Sequence, residues 1–150
     1  MRNLLYISNS SYDKQNLLLD VILNDKTYIT DIIHRNKKYV IKSFLNKLNF
    51  SYLFEKLRVP LNFWFNYRII NQIINNQFHK ILIVKGSYVF PITLWLIKNR
   101  QSNAIIVNWS LDNMCLRHNN NFWYLSSIKF YDVFFTTKTS NILGLKKIGA

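Results

Sequence analysis

Cysteine, glycine and proline are all scarce in this chain of 150 residues. Cys115 is the only cysteine, so no disulfide can form within the chain, and a reducing compartment is expected. The three glycines form neither a G-x-G-x-x-G fingerprint nor a Walker loop, which excludes the common glycine-cradled phosphate sites. The longest apolar run, residues 88–97, is far shorter than the roughly 20 residues that cross a bilayer. These absences predict a cytoplasmic protein whose contact with a membrane is peripheral at most.

Acidic residues are scarce as well, with 7 Asp and Glu against 20 Lys and Arg, which gives a formal net charge of +13. Such a balance favours an anionic partner, either a nucleic acid, an acidic membrane surface or a phosphorylated substrate. The abundance of Asn, Ile, Lys, Phe and Tyr is also typical of an AT-rich genome, so codon usage explains part of the lysine excess equally well. The hydrophobic share of 49% excludes a disordered chain.

Two short apolar runs, at residues 81–84 and 104–107, frame the most informative segment of the sequence. Gly86 breaks the first run, because glycine tolerates backbone angles that other residues avoid, and Pro91 suits the first turn of a helix. The pattern predicts a strand–helix–strand unit of a parallel sheet, with Asn108, Trp109 and Asp112 following the second strand. Ligands of such sheets bind beyond the carboxyl ends of the strands, so the segment predicts a site as well as a fold.

The rest of the chain continues the alternation of strands and helices. Further strands are predicted at residues 3–7, 26–33 and 133–135. Further helices are predicted at residues 12–23, at residues 35–48, from Pro60 onward and at residues 121–129, and Ser10 and Asp13 form a capping box for the first of them. A last helix is predicted from Thr137 as N-cap to Ile148, with Gly149 as C-cap. We find no linker or internal repeat. Because the chain ends at a helix where a parallel domain would add another strand, we expect the front half of a larger protein or a short paralogue of one.

The helix that Pro60 opens carries an apolar stripe. Its members recur every three or four residues: Val59, Phe63, Tyr67, Ile70, Ile74 and Phe78. Four asparagines lie on the other side: Asn62, Asn66, Asn71 and Asn75. We therefore expect the stripe to serve the core and the asparagines to lie away from it.

A parallel sheet would gather polar residues from several strand ends at one edge: Ser8, Asn9, Ser10, Lys85, Gly86, Asn108, Trp109, Asp112, Thr136 and Thr137. Asp112 is the leading catalytic candidate, because a carboxylate can take a proton from a substrate hydroxyl; its alternative role is a helix N-cap. Lys85 could neutralise a phosphate or lie on the surface, and Trp109 could stack on a ring of a ligand or pack in the core. Cys115 and His118 lack the second pair of ligands that a metal site needs, so their spacing is attributed to chance and no metal is expected.

Several landmarks occur in a suggestive order. They are Lys85-Gly86 after a strand, Pro91 in the next helix, Asp112 after the following strand, Tyr131-Asp132 opening a strand that ends in Thr136-Thr137, and Gly149-Ala150. The segments that contain them, IVKGSYVFPITLWLIKN, IIVNWSLDN and YDVFFTTKTSNILGLKKIGA, resemble the N-terminal half of CgeB-like spore-protein glycosyltransferases, which are of the GT-B type. The resemblance covers about the last half of the chain.

This resemblance implies an α/β fold, a Rossmann-like three-layer sandwich with a mainly parallel sheet, in which residues 1–150 form one N-terminal, acceptor-side domain. It implies an enzyme that transfers a sugar from a nucleotide sugar to an acceptor. In that architecture the nucleotide-sugar donor is held mostly by a C-terminal domain, which this chain lacks. No cofactor is therefore expected in this chain, and catalysis is expected only when a donor domain completes it.

Two other classes of function compete with this interpretation. The first is a basic α/β module that binds nucleic acid or an anionic surface without catalysis; dispersed basic residues and the lack of a known motif disfavour nucleic acid. A membrane contact would use the basic amphipathic segment at residues 35–48, through Arg35, Lys37, Lys38 and Lys42, although a core-packing helix explains that segment too. The second class is a non-catalytic partner that docks on a separate catalytic domain or chain.

Overall fold

The computed structural model describes residues 2–8, 24, 28–34, 51–116 and 119–149, and only the backbone at 28–30, 34 and 51–61. The described strands are β1 (Arg2–Ser8), β2 (Tyr28–His34), β3 (Lys80–Val84), β4 (Ile105–Ser110) and β5 (Val133–Thr136). They form one sheet in the order β2-β1-β3-β4-β5, and every neighbouring pair is parallel. The predicted α/β, Rossmann-like fold is thereby confirmed.

Four α-helices lie in the described part of the chain: α1 (Ser51–Asn75), α2 (Pro91–Arg100), α3 (Phe122–Ser127), which continues into a 3₁₀ turn at Ile128–Phe130, and α4 (Thr139–Lys147). They pack against one face of the sheet. Apolar residues of α1 and α2 meet alternate strand residues in a core that includes Leu5, Ile7, Phe65, Ile69, Ile73, Ile81, Ile83, Leu94, Ile97 and Ile106. A smaller cluster joins α3 and α4 to Phe134 of β5 through Met114, Tyr124, Ile128 and Leu145. The other face carries buried Leu4, Tyr6 and Val84, while Phe135 on it is exposed.

Strand β4 is longer than the sequence predicts. Asn108 and Trp109 do not follow the strand but belong to it, paired with Ile83 and Val84 of β3. The apolar run ends at Val107, yet the ladder continues because the side chains of Asn108 and Ser110 find buried polar partners. A polar residue at the end of an apolar run therefore did not mark the end of the strand.

Helix α1 corrects two predictions. It begins at Ser51 rather than at Pro60, and Pro60 lies within it; the nine residues before Pro60 contain no glycine or proline that would end the helix earlier. Its buried side is also not the predicted one. Asn62 and Asn66 are buried with Phe65, Ile69 and Ile73, whereas four apolar residues of the helix are exposed: Phe63, Trp64, Tyr67 and Ile74.

The C-terminal helix differs from the prediction at both ends, and it ends at Lys147 with Ile148 as C-cap instead of running to Ile148 with Gly149 as C-cap. Its N-cap is Lys138 rather than Thr137, and the preceding Thr136 hydroxyl accepts the Lys138 N–H at 3.1 Å. Gly149 follows the helix with φ +96°, a left-handed angle, as expected of a glycine at a helix C-terminus. The predicted helix at residues 12–23, its capping box and the basic segment at residues 35–48 lie outside the described residues.

Candidate functional site

The carboxyl edge of the sheet contains the point at which the strand order reverses. From β1 the chain goes to β2 on one side, and β3, β4 and β5 follow on the other side. In open parallel sheets, ligands bind in the crevice beside such a switch point. Ser8 ends β1 there and is buried, and Lys85 and Gly86 follow β3. The predicted partners Asn9 and Ser10 lie outside the described residues.

Lys85 and Gly86 form a tight left-handed turn. Their φ angles are +67° and +70°, and the Lys85 N–H donates to the Trp109 carbonyl at 2.8 Å. A positive φ is uncommon for a residue with a side chain and often marks a functional position. The turn lets the Lys85 side chain reach the loop after β4, where its Nζ lies 2.5 Å from Asp112 Oδ2.

The Lys85–Asp112 ion pair is open to solvent. The side chains are 32% and 43% exposed, so the pair contributes little to stability. Among the described residues, the second carboxylate oxygen of Asp112, Oδ1, has no hydrogen-bond donor. The pair therefore presents one free carboxylate oxygen and an ammonium group at the edge where a ligand is expected, a combination suited to accepting a proton and neutralising an anion.

A buried polar layer lies beneath this turn. Asn108 Oδ1 accepts the Ser110 hydroxyl at 2.8 Å and the Tyr124 hydroxyl at 3.4 Å, and Asn108 Nδ2 donates to the Ile83 carbonyl at 3.4 Å. Burial raises the pKa of Tyr124 to about 12, an effect that its hydrogen bond with Ser110 partly offsets. These groups hold the carboxyl edge of β4 in place rather than facing a ligand.

Tyr131 completes this layer from the segment before β5. Its hydroxyl makes no hydrogen bond of normal geometry within the described part of the chain and lies against Gly86 and the Asn108 amide. Burial raises the pKa of Tyr131 far above its usual value, and the neighbouring Tyr124 adds to the shift. A glycine at position 86 is thus required both by the backbone angle and by the closeness of this layer.

We expect stability to fall steeply above pH 10. A tyrosine whose pKa is raised in the folded state stabilises the fold fully below its unfolded pKa, and that stability is lost as pH rises towards the folded pKa. For Tyr124, whose pKa goes from 10.0 to about 12, the full loss is about 3 kcal/mol, of which about half is reached at pH 11. Urea unfolding at pH 8 and pH 11 should show this loss reduced in Tyr124→Phe; an equal loss in both proteins would contradict it.

The other predicted site residues divide into two groups. Thr136 and Thr137 lie near Asp112: the Thr137 hydroxyl donates to the Leu111 carbonyl at 3.1 Å, and Thr136 Oγ1 accepts Asn141 Nδ2 at 2.7 Å. Trp109 is half-buried, and strand alternation directs its side chain to the face opposite that of Asn108. Lys85, Gly86, Asp112, Thr136 and Thr137 thus come together, whereas Ser8 and Asn108 lie buried below them.

No protein-family model, curated protein or solved structure matches this chain. Among the described residues, no group of three His, Cys, Asp or Glu side chains could hold a metal ion. None of the helices in that part of the chain is both long and apolar enough to cross a membrane. The function must therefore be inferred from the fold and the site themselves.

Asn141 is a site residue that the sequence analysis missed. It is fully buried near the start of α4; its Oδ1 accepts the Met114 N–H at 2.7 Å, and its Nδ2 donates to the Asp112 carbonyl at 2.8 Å as well as to Thr136. One amide therefore fixes the loop that carries Asp112. Asparagine is so common in this sequence that nothing set this one apart.

The start of α2 is already occupied by the protein itself. Asn66 Oδ1 accepts the Phe90 N–H at 2.8 Å and the Thr93 hydroxyl at 2.8 Å. The N-terminus of a helix after a parallel strand is a common phosphate site, but here a side chain of α1 binds the N–H of the N-cap residue. An anion at this edge would therefore depend on Lys85 more than on the helix.

A depression lies away from this edge, between β2 and α1. It encloses about 170 Å³ and is lined by Asp31, Arg68 and Asn71 among others, with Gln72 Nε2 donating to Asp31 Oδ2 at 3.0 Å. Pockets that bind small molecules enclose roughly 300–1,000 Å³. This depression is smaller than such pockets.

Proposed function

We propose that this chain is the acceptor-side domain of a glycosyltransferase, and that it transfers a sugar from a nucleotide sugar when a donor-binding domain completes it. The Rossmann-like sheet agrees with the resemblance to the N-terminal half of CgeB-like enzymes. The observation that carries the proposal is the Lys85–Asp112 pair beside the switch point, with Asp112 Oδ1 free of any partner among the described residues.

The two side chains have complementary roles in this proposal. Asp112 Oδ1 accepts the proton of the acceptor hydroxyl as the hydroxyl oxygen forms a bond to the anomeric carbon. The bond from that carbon to the donor phosphate breaks, and its electron pair leaves with the nucleoside diphosphate. Lys85 neutralises the charge that develops on this leaving group, and the exposed hydroxyl of Thr137 can hold the acceptor.

Acceptor binding can be tested on the chain alone. We expect methyl glycosides of glucose, galactose and N-acetylglucosamine, added singly to ¹⁵N-labelled protein, to include one that shifts the amide signals of residues 84–87 and 111–113. Asp112→Asn should weaken that binding about tenfold, because a hydrogen bond to a charged group is replaced by a weaker one. The measurement is an NMR titration followed to saturation.

The chain offers a matched control. Lys98 and Asp132 form a second ion pair at the opposite end of β5, where Asp132 Oδ2 also accepts the Ile106 N–H at 2.8 Å. Asp132→Asn changes the same chemical group but should leave glycoside binding unaltered. Amide shifts confined to other parts of the sheet, or equal affinities of Asp112→Asn and the unaltered protein, would argue against the proposed site.

The alternative is a module that binds an anionic partner without catalysis. One observation favours it: the sequence between Glu55 and Asp112 contains no acidic residue, and Asp112 and Asp132 are both paired with lysine. Glycoside titrations without any shift, together with binding to an anionic probe, would support this alternative. In this alternative the anionic partner would bind a surface other than the one that carries the Lys85–Asp112 pair.

A further inference from the structure

The outer side of the helix layer exposes large apolar side chains from three helices. The buried residues of α1, α2 and α3 face the sheet, so their exposed residues lie on the side away from it. We call this side the outer helix surface and define it by Trp64, Tyr67, Ile74, Ile92, Trp95 and Phe122. Trp64 is 66% exposed and Phe122 is 72% exposed. Apolar patches of this kind mark interaction sites, because single exposed apolar residues are common and clusters of them are not.

The charges on α2 and on residues 62–75 of α1 are all positive. Arg100 on α2 and Lys129 just after α3 are exposed, and neither α2, α3 nor residues 62–75 of α1 contain an acidic residue. Asp132, the nearest acid after α3 in the sequence, is held by Lys98. A partner for this surface must therefore offer both an apolar phase and negative charge.

We infer that the outer helix surface docks on an anionic lipid bilayer. Tryptophan and tyrosine are enriched at the boundary between lipid headgroups and acyl chains, because one part of each ring is apolar and another is polar. Basic residues at the same level are attracted to acidic headgroups. The six apolar residues would enter the headgroup boundary while Arg100 and Lys129 remain among the phosphates.

Two other occupants fit this surface less well. Single-stranded nucleic acid binds by stacking on separate aromatic rings, but here Trp64 and Tyr67 stack on each other, with centroids 5.4 Å apart, and Ile74 and Ile92 cannot stack on a base. A second copy of the chain would bring two proteins of net charge +13 together, and in α2, α3 and residues 62–75 of α1 no acidic residue would offset the repulsion. The lipid surface satisfies both the apolar and the charge requirement.

Vesicle sedimentation tests the inference directly. We expect the protein to bind vesicles of phosphatidylglycerol and phosphatidylcholine and to bind pure phosphatidylcholine vesicles much more weakly. The variant Trp64→Gln/Phe122→Gln should lower the partition constant by about tenfold or more, because two side chains that enter the apolar phase are lost. The control Phe135→Gln removes a ring that is 58% exposed on the other face of the sheet and should not change binding.

A second measurement does not depend on these variants. Brominated acyl chains should quench tryptophan fluorescence of the bound protein, and Trp64→Phe/Trp95→Phe should remove most of the quenching while it retains binding. Failure to sediment with anionic vesicles, equal effects of the double variant and of Phe135→Gln, or unchanged quenching in Trp64→Phe/Trp95→Phe would each overturn the inference. The inference would also be overturned if the protein does not bind vesicles but retards a single-stranded oligonucleotide or forms a dimer. If the Trp64→Gln/Phe122→Gln variant loses that retardation or that dimer, the nucleic acid or the second copy is the occupant of this surface.

Discussion

Gly86→Ala is expected to lower the free energy of unfolding by about 3 kcal/mol, a large effect for the addition of one methyl group. The left-handed φ of +70° costs an alanine energy that a glycine does not lose. The new methyl carbon would also lie 2.6 Å from the Tyr131 hydroxyl oxygen and 2.8 Å from Asn108 Nδ2, both far inside normal contact. Urea unfolding followed by circular dichroism measures the change.

Two further variants separate the backbone strain from the steric clash. Tyr131→Phe removes a buried hydroxyl without a normal hydrogen bond, so alone it should cost little, and in its presence Gly86→Ala should cost about 1 kcal/mol less. Gly149→Ala has a φ of +96° but meets nothing within 4 Å, so it should show the strain without the clash. A Gly86→Ala protein as stable as the unaltered chain would show that the turn and the layer beneath it can readjust.

The same turn connects stability to the proposed chemistry. Lys85 reaches Asp112 because residues 85 and 86 both take left-handed angles, and the Tyr131–Asn108 layer leaves room for no side chain at position 86. On the other side of the pair, Asn141 holds the Asp112 carbonyl. The groups that position Lys85 and Asp112 are therefore uncharged, so none of them neutralises the Asp112 carboxylate, which stays available to a ligand.

The sequence predicted the strands and several helix ends well, because apolar runs and turn residues determine them. β1, β3 and β5, the proline at the start of α2 and the glycine after α4 were placed within a few residues. Such features are local: an apolar run, a break and a turn residue are read from neighbouring positions. Lys85 and Asp112, both assigned to the carboxyl edge of the sheet, form an ion pair that the sequence analysis did not predict.

The errors arose where a polar side chain is satisfied by a distant part of the chain. Helix α1 carries further apolar residues, Phe65, Ile69 and Ile73, which are buried together with Asn62 and Asn66. The hydrophobic stripe was assigned to the core, yet Phe63 and Tyr67 are exposed. A buried asparagine is favourable only when its hydrogen-bond partners, here 20 or more residues away in the sequence, are in place. No local sequence pattern indicates such partners.

Asn66→Ala is the second variant with a large expected effect, about 4 kcal/mol of lost stability. Asn66 accepts hydrogen bonds from the Phe90 N–H and the Thr93 hydroxyl, and it donates to the carbonyls of Asn62 and Tyr88 at 2.7 and 2.8 Å. Removing the amide leaves buried groups at the start of α2 and in the loop before it without partners, and each such group costs about 1–3 kcal/mol. Chemical unfolding of the purified variant tests this value.

The exposed Asn71 on the same helix is the matched control, because the sequence alone makes Asn66 and Asn71 equivalent. Asn71→Ala should change stability by no more than about 0.5 kcal/mol, since it removes an exposed amide and adds a better helix former. Asn66→Asp keeps the two accepted hydrogen bonds but places a buried carboxylate next to two carbonyl oxygens. In acid the carboxyl group is protonated and can donate a hydrogen bond, so the variant should be less destabilised in acid than at neutral pH. Similar small losses for Asn66→Ala and Asn71→Ala would mean that the buried amide does not hold α1 against the start of α2.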